Sequence, residues 1–312
     1  MNLVIIMSRT RRLFGILMLI ISLFLLYFTI TNYEEITTYV NKIVRKYTKK
    51  TVIIPNDTKN HRFYIFKTFN ETNNFEPQNI EDLKKIYFTV LNNGWDTFTF
   101  YCPVEYETCI SDVKLLASSD TNEFISTINN YVSPYNSYKK YNTTITDEDQ
   151  ITLNVEKLYT EDEISKIDNY LDNYINKNID KKSITKKDIE RLHDYLIERI
   201  TYDDDYVKDD EITDSNKATG AINGKALCSG YSDLFAIALD KLNIPNFKVN
   251  SEEHEWNAIY WNKKWVHIDL TWDDDEINKN NNRNFFMIDT KTLLEKDKKE
   301  HNFNKDLYLE FK

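Results

Sequence analysis

The sequence predicts an α+β chain with one N-terminal transmembrane helix, a small α+β domain, and a second domain in which a cysteine-headed helix packs on an antiparallel sheet. Three observations predict it. A long apolar run without charge, LFGILMLIISLFLLYFTI, occupies residues 13–30. Segments of helical spacing and of strict alternation follow one another along the rest of the chain, without an internal repeat. KALCSGYSDLF (225–235) sets a cysteine in front of a glycine and a helix-spaced apolar run, and two alternating segments follow, HEWNAIYW (254–261) and KKWVHIDLTW (263–272).

The apolar run is interrupted only by Ser22 and Thr29, and no charge appears before Glu34. That length spans a hydrocarbon layer of about 30 Å. Arg9, Arg11 and Arg12 precede it while Glu34 and Glu35 follow, an asymmetry that keeps the amino terminus in the cytoplasm and sends the remainder outside. A cleaved signal peptide is the rival reading; its apolar region is shorter, and FTITNYEE offers no small-x-small cleavage pattern. The expected order is a basic cytoplasmic tail (1–12), a membrane anchor (13–33), a stalk (34–59), a small domain (60–157), a connecting helix (158–182) and a second domain (183–312). Net charge is −10, but residues 1–50 hold eight Lys/Arg and two acids, which leaves 32 basic against 48 acidic residues beyond them, or −16. A surface of that sign repels nucleic acid and anionic polymers. The Lys-, Asn- and Ile-rich composition is of the kind that AT-rich bacterial genomes produce.

In the small domain, RFYIFKTF (62–69) alternates as a strand does, and Ile80, Leu83, Ile86, Tyr87, Val90 and Leu91 recur at helical spacing. Asn92-Asn93-Gly94 closes that helix with residues that tolerate left-handed geometry. WDTFTFYC (95–102) alternates again, with Phe98 and Phe100 on one face. A helix around Glu123–Tyr131, a turn-rich SPYNSYKKYNTT (133–144) and a short strand near Ile151–Val155 complete a unit to which no chemistry attaches. Cys102 and Cys109 either pair in an oxidising exterior or stay reduced as small buried hydrophobes.

Thr160 with Glu163 forms a capping box for the connecting helix, whose Ile164, Ile167, Leu171, Tyr174 and Ile175 give it one apolar side. Thr185 with Asp188 starts the next helix, which carries Ile189, Leu192, Leu196, Ile197 and Ile200. The acid clusters at Asp203–Asp205 and Asp273–Asp275, and NKNNNRN (278–284), read as solvated loops.

Cys228 stands at or just before the first turn of a buried helix marked by Tyr231, Leu234, Phe235, Ala238, Leu239 and Leu242, with Asn243 and Pro245 ending it. First-turn N–H groups lack intrahelical acceptors and carry roughly half a positive charge, which favours a thiolate and can hold a developing oxyanion. The position also suits a small buried hydrophobe. Gly230 would let a substrate carbonyl approach closely. Beyond the helix, the two alternating segments meet at Asn262-Lys263 and form a hairpin. An even-numbered loop sets Trp261 opposite Lys264 and Trp256 opposite Asp269, leaving His254 and Asp269 on one face as diagonal neighbours about 7–8 Å apart at the backbone; an odd loop without a bulge puts them on opposite faces. Of the five histidines, His61 and His301 fall outside the core elements, His193 lies in the preceding helix, and His267 diverges from Asp269 along their common strand. His254 is the best-placed base, and thiol, imidazole and carboxylate on helix, strand and next strand form a nucleophile, base and orienter set.

CSGYSDLF, HEWNAIY and WVHIDLTW, preceded by a helix ending IERITYDDDY, resemble the transglutaminase-like core, a branch of the papain-like thiol enzymes, over about residues 185–275. The resemblance implies that Cys228 is the nucleophile, His254 the base and Asp269 the orienting carboxylate. Joined to the membrane span and its flanking charges, it implies an extracytoplasmic, membrane-anchored enzyme that cleaves or transfers acyl groups of protein or peptide amides through a thioester, as protease, amidase or transamidase; the family also holds inactive relatives, so a catalytically silent envelope protein that binds peptides or proteins is the alternative. Tyr202 is a candidate second oxyanion donor. Trp256, Trp265 and Trp272 either wall a substrate groove or fill the core. No cofactor is expected. A metal site is disfavoured, because Cys228 and His254 lack C-x-x-C or H-x-x-x-H pairing and Asp273, Asp274, Asp275 and Glu276 depart from EF-hand order. The expected partners are a protein or peptide substrate of the cell envelope and the membrane, with no nucleic acid.

Overall fold

The structure, a computed structural model, describes residues 2–47, 50–118, 123–146, 149–205, 212–274 and 283–312, and falls into two compact units, Met1–Thr51 and Val52–Lys312. In the first, helix α1 (Asn2–Thr31) contains the window Phe14–Thr31, long and apolar enough to cross a bilayer. The expected stalk is not irregular at its start: α2 (Tyr33–Tyr47) continues, with Glu34 and Glu35 in a first turn that favours acids.

The second unit begins with an extended stretch. Its start is held by the Trp95 indole N–H donating to the Asp57 carbonyl and by Lys59 N–H donating to Asn93, so the last residues assigned to the stalk belong to the folded unit. RFYIFKTF (62–69) is extended without strand pairing; Arg62, Phe66 and Phe69 turn inward while Phe63 and Ile65 stay exposed. Helix α3 (Ile80–Asn92) starts at Asn79, whose side chain accepts from Asp82 N–H, and ends at Gly94, which takes φ +69°; a Cβ there would lie 2.7 Å from the Lys59 carbonyl oxygen. Strand β1 (Thr97–Tyr101), helix α4 (Cys109–Ala117), helix α5 (Glu123–Tyr131), β2 (Tyr138–Ile145) and β3 (Gln150–Lys157) follow. Cys102 and Cys109 are disulfide-bonded. The eight-residue β2 corrects the turn-rich reading of 133–144: after a single 3₁₀ turn at Pro134–Asn136, β-branched Thr143 and Thr144 and alternating Tyr138 and Tyr141 pair with β3. The antiparallel sheet runs β1–β3–β2, with Phe98 opposite Leu153 and Phe100 opposite Ile151.

Helices α6 (Glu161–Asn178) and α7 (Lys186–Ile197) open with the expected capping pairs, Thr160–Glu163 and Thr185–Asp188. Then come the two-residue strand β4 (Thr201–Tyr202), α8 (Ala218–Ile222), β5 (Lys225–Ala226) parallel to β4, and α9 (Cys228–Lys241). Strands β6 (Asn246–Asn250), β7 (Glu255–Trp261) and β8 (Lys264–Ile268), the short helix α10 (Leu270–Asp273), β9 (Phe286–Ile288) and α11 (Thr290–Lys296) complete the main elements. The second sheet is antiparallel, β6–β7–β8–β9. One apolar cluster joins α6, α7 and α9, through Ile167, Leu171, Leu192, Leu196, Leu234 and Phe235, to Ile259 and Val266 of this sheet. A second cluster spans both sheets: Tyr131 stacks on Phe247 at 4.8 Å, and Phe66 meets both rings edge-on. The segments 60–157, 158–182 and 183–312 thus lie in one compact unit. Arg62, 4% exposed, ties the first of them to the last by donating to the Asp240 carboxylate and to the carbonyls of Tyr131 and Asn246.

Candidate active site

Cys228 is the first residue of α9 and its thiol is free and half-buried. The chain is steered into that position from both sides: Asp203 N–H donates to the Ala226 carbonyl, and Leu227 N–H donates to Ser215 at 2.8 Å. Gly230 has a different reason from the one expected. A Cβ on it would come within 2.8 Å of the carbonyl oxygens of Ser215 and Lys217 and 3.0 Å of the Ala226 side chain. Glycine is required so that α9 can start against the 214–217 turn, and the space it leaves is filled by protein, not open to a substrate.

His254 stands just before β7, where its N–H donates to Ser251 Oγ. The hairpin adopts the register derived from an even loop: Trp261 faces Lys264 and Asn257 faces Ile268, across a tip in which Asn262 and Lys263 both take positive φ. His254 and Asp269 therefore share a face, and His254 Nε2 lies 2.6 Å from Asp269 Oδ2. With Nε2 committed to Asp269, Nδ1 is left for the Cys228 thiol, whose proximity helps to raise the imidazole. Burial works against charge on His254, but the Asp269 carboxylate and Cys228 outweigh it and push the imidazole up to about 10. Burial likewise opposes ionisation of Asp269, yet His254 and His301 hold its carboxyl below the usual carboxylate range.

His301 corrects the sequence reading most directly. It is fully buried, its Nε2 lies 2.9 Å from the same Asp269 Oδ2, and its Nδ1 lies 2.9 Å from Asp297 Oδ2. Its ring stacks on Phe285 at 5.2 Å. The local signal was the i,i+4 spacing of Asp297 and His301, which nothing in periodicity ties to Asp269. His267 turns away: Nδ1 accepts from the Trp256 indole and Nε2 meets Thr290 Oγ1, and burial together with His301 lowers it to about 3. His61 bonds Glu71 at the surface.

Trp256 is 1% exposed and lies nearly parallel to the His254 ring at 5.7 Å, so it backs the histidine from the core; Trp265 packs on Phe247 and Phe66. Only Trp272, half-buried and edge-on to His254 at 6.4 Å, retains a place at the rim. The β4–β5 pairing brings Tyr202 beside the nucleophile. Burial first, then the charge of Cys228 and of Asp204, Glu300 and Asp203, pushes its hydroxyl up to about 12, so it remains a hydrogen-bond donor through the neutral range. The acid clusters are engaged: Asp203 and Asp205 meet Lys225, and Asp274 accepts from Tyr231. Asp275, Glu276 and residues 278–282 lie outside the described residues.

His254, Asp269 and His301 present donor atoms within 4.8 Å of one another, the separation of a small metal cluster. The two imidazole nitrogens, however, converge at 2.6 and 2.9 Å on a single oxygen, Oδ2. Those are hydrogen-bond lengths to one shared acceptor, so the three residues read as a proton network.

Residues 169–270 match the profile of the transglutaminase-like superfamily. Among solved structures, the chain is similar to a crystal structure of a TGase, at 16% identity and a TM-score of 0.33, covering 43% of this chain and 44% of that one. It is also similar to a candidate cysteine protease from Cytophaga hutchinsonii, at 11% identity and a TM-score of 0.26, covering 42% of this chain and 61% of that one. The chain thus spans about half of their length. No curated protein sequence matches it.

Proposed function

We propose, on the premise that residues 169–270 form a transglutaminase-like core, that the protein is an anchored thiol enzyme that cleaves or transfers the acyl group of protein or peptide amides. One observation carries the reading: a free cysteine heads a helix and lies close enough to a buried histidine to help raise it, and a buried carboxylate orients that histidine. In the reaction, the Cys228 thiolate attacks the carboxamide or peptide carbonyl and the carbonyl π pair moves to oxygen. The Cys228 backbone N–H, unsatisfied in the first helical turn, and the Tyr202 hydroxyl are suited to receive that oxyanion. The tetrahedral intermediate collapses to a thioester as the C–N bond breaks, and the proton held by His254 goes to the departing amine. Water or a second amine, deprotonated by His254, then attacks the thioester and releases the thiol.

Phe14–Thr31 fits an uncleaved anchor, with Val52–Lys312 on the outer side of the membrane. The Cys102–Cys109 disulfide agrees with an oxidising exterior. Mass spectrometry of the detergent-solubilised full chain with a Gln-containing peptide, with and without a primary amine, tests the chemistry: ammonia loss, an amine adduct or backbone cleavage is expected, and each must vanish in Cys228→Ala. No peptide product from the wild type across a varied peptide set would sink the enzymatic reading. For the topology, a membrane-impermeant maleimide is expected to label Cys228 in intact cells; labelling only after lysis would reverse the assigned orientation.

A further inference from the structure

We propose that His301, anchored by Asp297, is a positioning residue that holds Asp269 and shares its charge, so that the working unit is a five-member chain, Asp297–His301–Asp269–His254–Cys228. The proposal rests on the thiol-enzyme reading of Cys228 and deepens it by assigning a control on the same pair.

The geometry makes the case. Asp269 has two oxygens. Oδ1 accepts from the Trp272 N–H at 3.1 Å and so caps α10, while Oδ2 receives both imidazoles, His254 at 2.6 Å and His301 at 2.9 Å. Neither ring nitrogen of His301 faces solvent or an aliphatic wall; each faces a carboxylate oxygen. A neutral imidazole donates at one nitrogen and accepts at the other, so a neutral ring would set a lone pair against one of the two carboxylates. Donating to both requires a proton on each nitrogen. In that state one carboxylate oxygen serves two donors, and the share of its charge available to the His254 imidazolium falls. The rings of His254 and His301 lie 5.2 Å apart, nearly perpendicular, close enough for a charge on one to oppose a charge on the other.

Among the described residues, the further charged groups around His301 are few. Around His301 lie Asp297 at the end of α11, Asp269 at the head of α10, His254 ahead of β7, the neutral-leaning His267 on β8, and its own neighbour Glu300; Lys296 reaches over the outer side of the Phe285 ring. The stack on Phe285 and the edge contacts with Trp256 and Trp272, at 4.8 and 5.3 Å, fix the ring plane. A ring so confined positions its neighbour without touching a substrate, as outer-shell carboxylate–histidine pairs orient a first histidine elsewhere.

The test follows haloacetamide alkylation of Cys228 against pH in the full chain, comparing wild type, His301→Ala and His301→Gln. His301→Ala is expected to slow alkylation at neutral pH roughly tenfold. His301→Gln retains a donor for Asp269 but carries no charge; it should recover most of the rate, while the alkaline inflection that marks loss of the His254 proton moves upward. A uniform loss in both variants with no change of inflection would reduce His301 to packing and overturn the proposal, as would wild-type profiles in both. A His254→Ala protein that alkylates as the wild type does would instead dispose of the thiol-enzyme reading itself.

Discussion

The four-residue helix α10 carries a carboxylate at each end, and each meets a buried histidine. Asp269 precedes it and receives His254 and His301; Asp273 closes it and faces His193, whose Nε2 is 3.2 Å away but without hydrogen-bond alignment. The two ends have opposite acid–base character. Burial opposes charge at both. At Asp269 two imidazoles win and hold the carboxyl down; at Asp273 burial wins over one imidazole and a Phe285 N–H, and the nearby Asp269 charge adds to it, so the carboxyl is pushed up. The histidines also differ in their further partner. His254 interacts with the Cys228 thiol, whereas the Nδ1 of His193 meets Asp194, itself clamped by Arg283. Both His–Asp pairs are buried, but only the first has a thiol beside it, which is what the proposed chemistry needs. The other ties α7 to α10 and thereby sets the helix that Asp269 caps.

That contrast is broken most sharply by removing each histidine. His254→Ala is expected to lower peptide turnover on the order of 10⁴-fold, and also to lower the urea midpoint, because it leaves the buried Asp269 carboxylate short of one of its two imidazoles. His193→Ala empties a fully buried site between α7 and α10 and should cost about 2–5 kcal/mol of stability, the penalty of a large-to-small core substitution, read as a lower urea midpoint by tryptophan fluorescence. Activity lost and stability kept in the His193 variant, or the reverse in His254, would show that the two ends of α10 have been assigned the wrong way round.

Much of the site was legible before any coordinates, because its parts announce themselves locally. Helix spacing from Tyr231 to Leu242 put Cys228 in a first turn, and the period-2 pattern on either side of Asn262-Lys263 fixed the register that brings His254 to Asp269. Thr160–Glu163 and Thr185–Asp188 marked two helix starts for the same reason. What escaped was non-local. His301 is 32 residues from Asp269 in a segment with no period, and its burial depends on Phe285 and Trp256 arriving from elsewhere. The 214–217 turn that requires Gly230 to lack a side chain cannot be read from the pattern of α9 alone. The strand Tyr138–Ile145 was hidden behind Pro134 and its run of Asn, Ser and Lys, and shows itself only as the partner of β3.

The carboxylates sharpen the comparison at smaller amplitude. Asp273→Asn keeps an acceptor for the Phe285 N–H at a carboxyl that burial already biases toward its neutral form, so it should cost less than about 1 kcal/mol and leave turnover near wild type. Asp269→Asn removes the charge that raises His254, and turnover should fall on the order of 10²- to 10⁴-fold. The pH dependence carries the same sign. A histidine raised to about 10 holds its proton through the neutral range and releases it near that pH, so amine expulsion should persist to about pH 10 and decline above. The stability it contributes is complete below the unfolded value, about 6.5, and is lost as pH rises toward 10. In Asp269→Asn that alkaline limb should move down toward the ordinary histidine range, whereas in Asp273→Asn it should stay where it is. A limb that moved in the Asp273 variant would mean that α10 transmits charge between its ends, and the two histidines would then have to be treated as one coupled system.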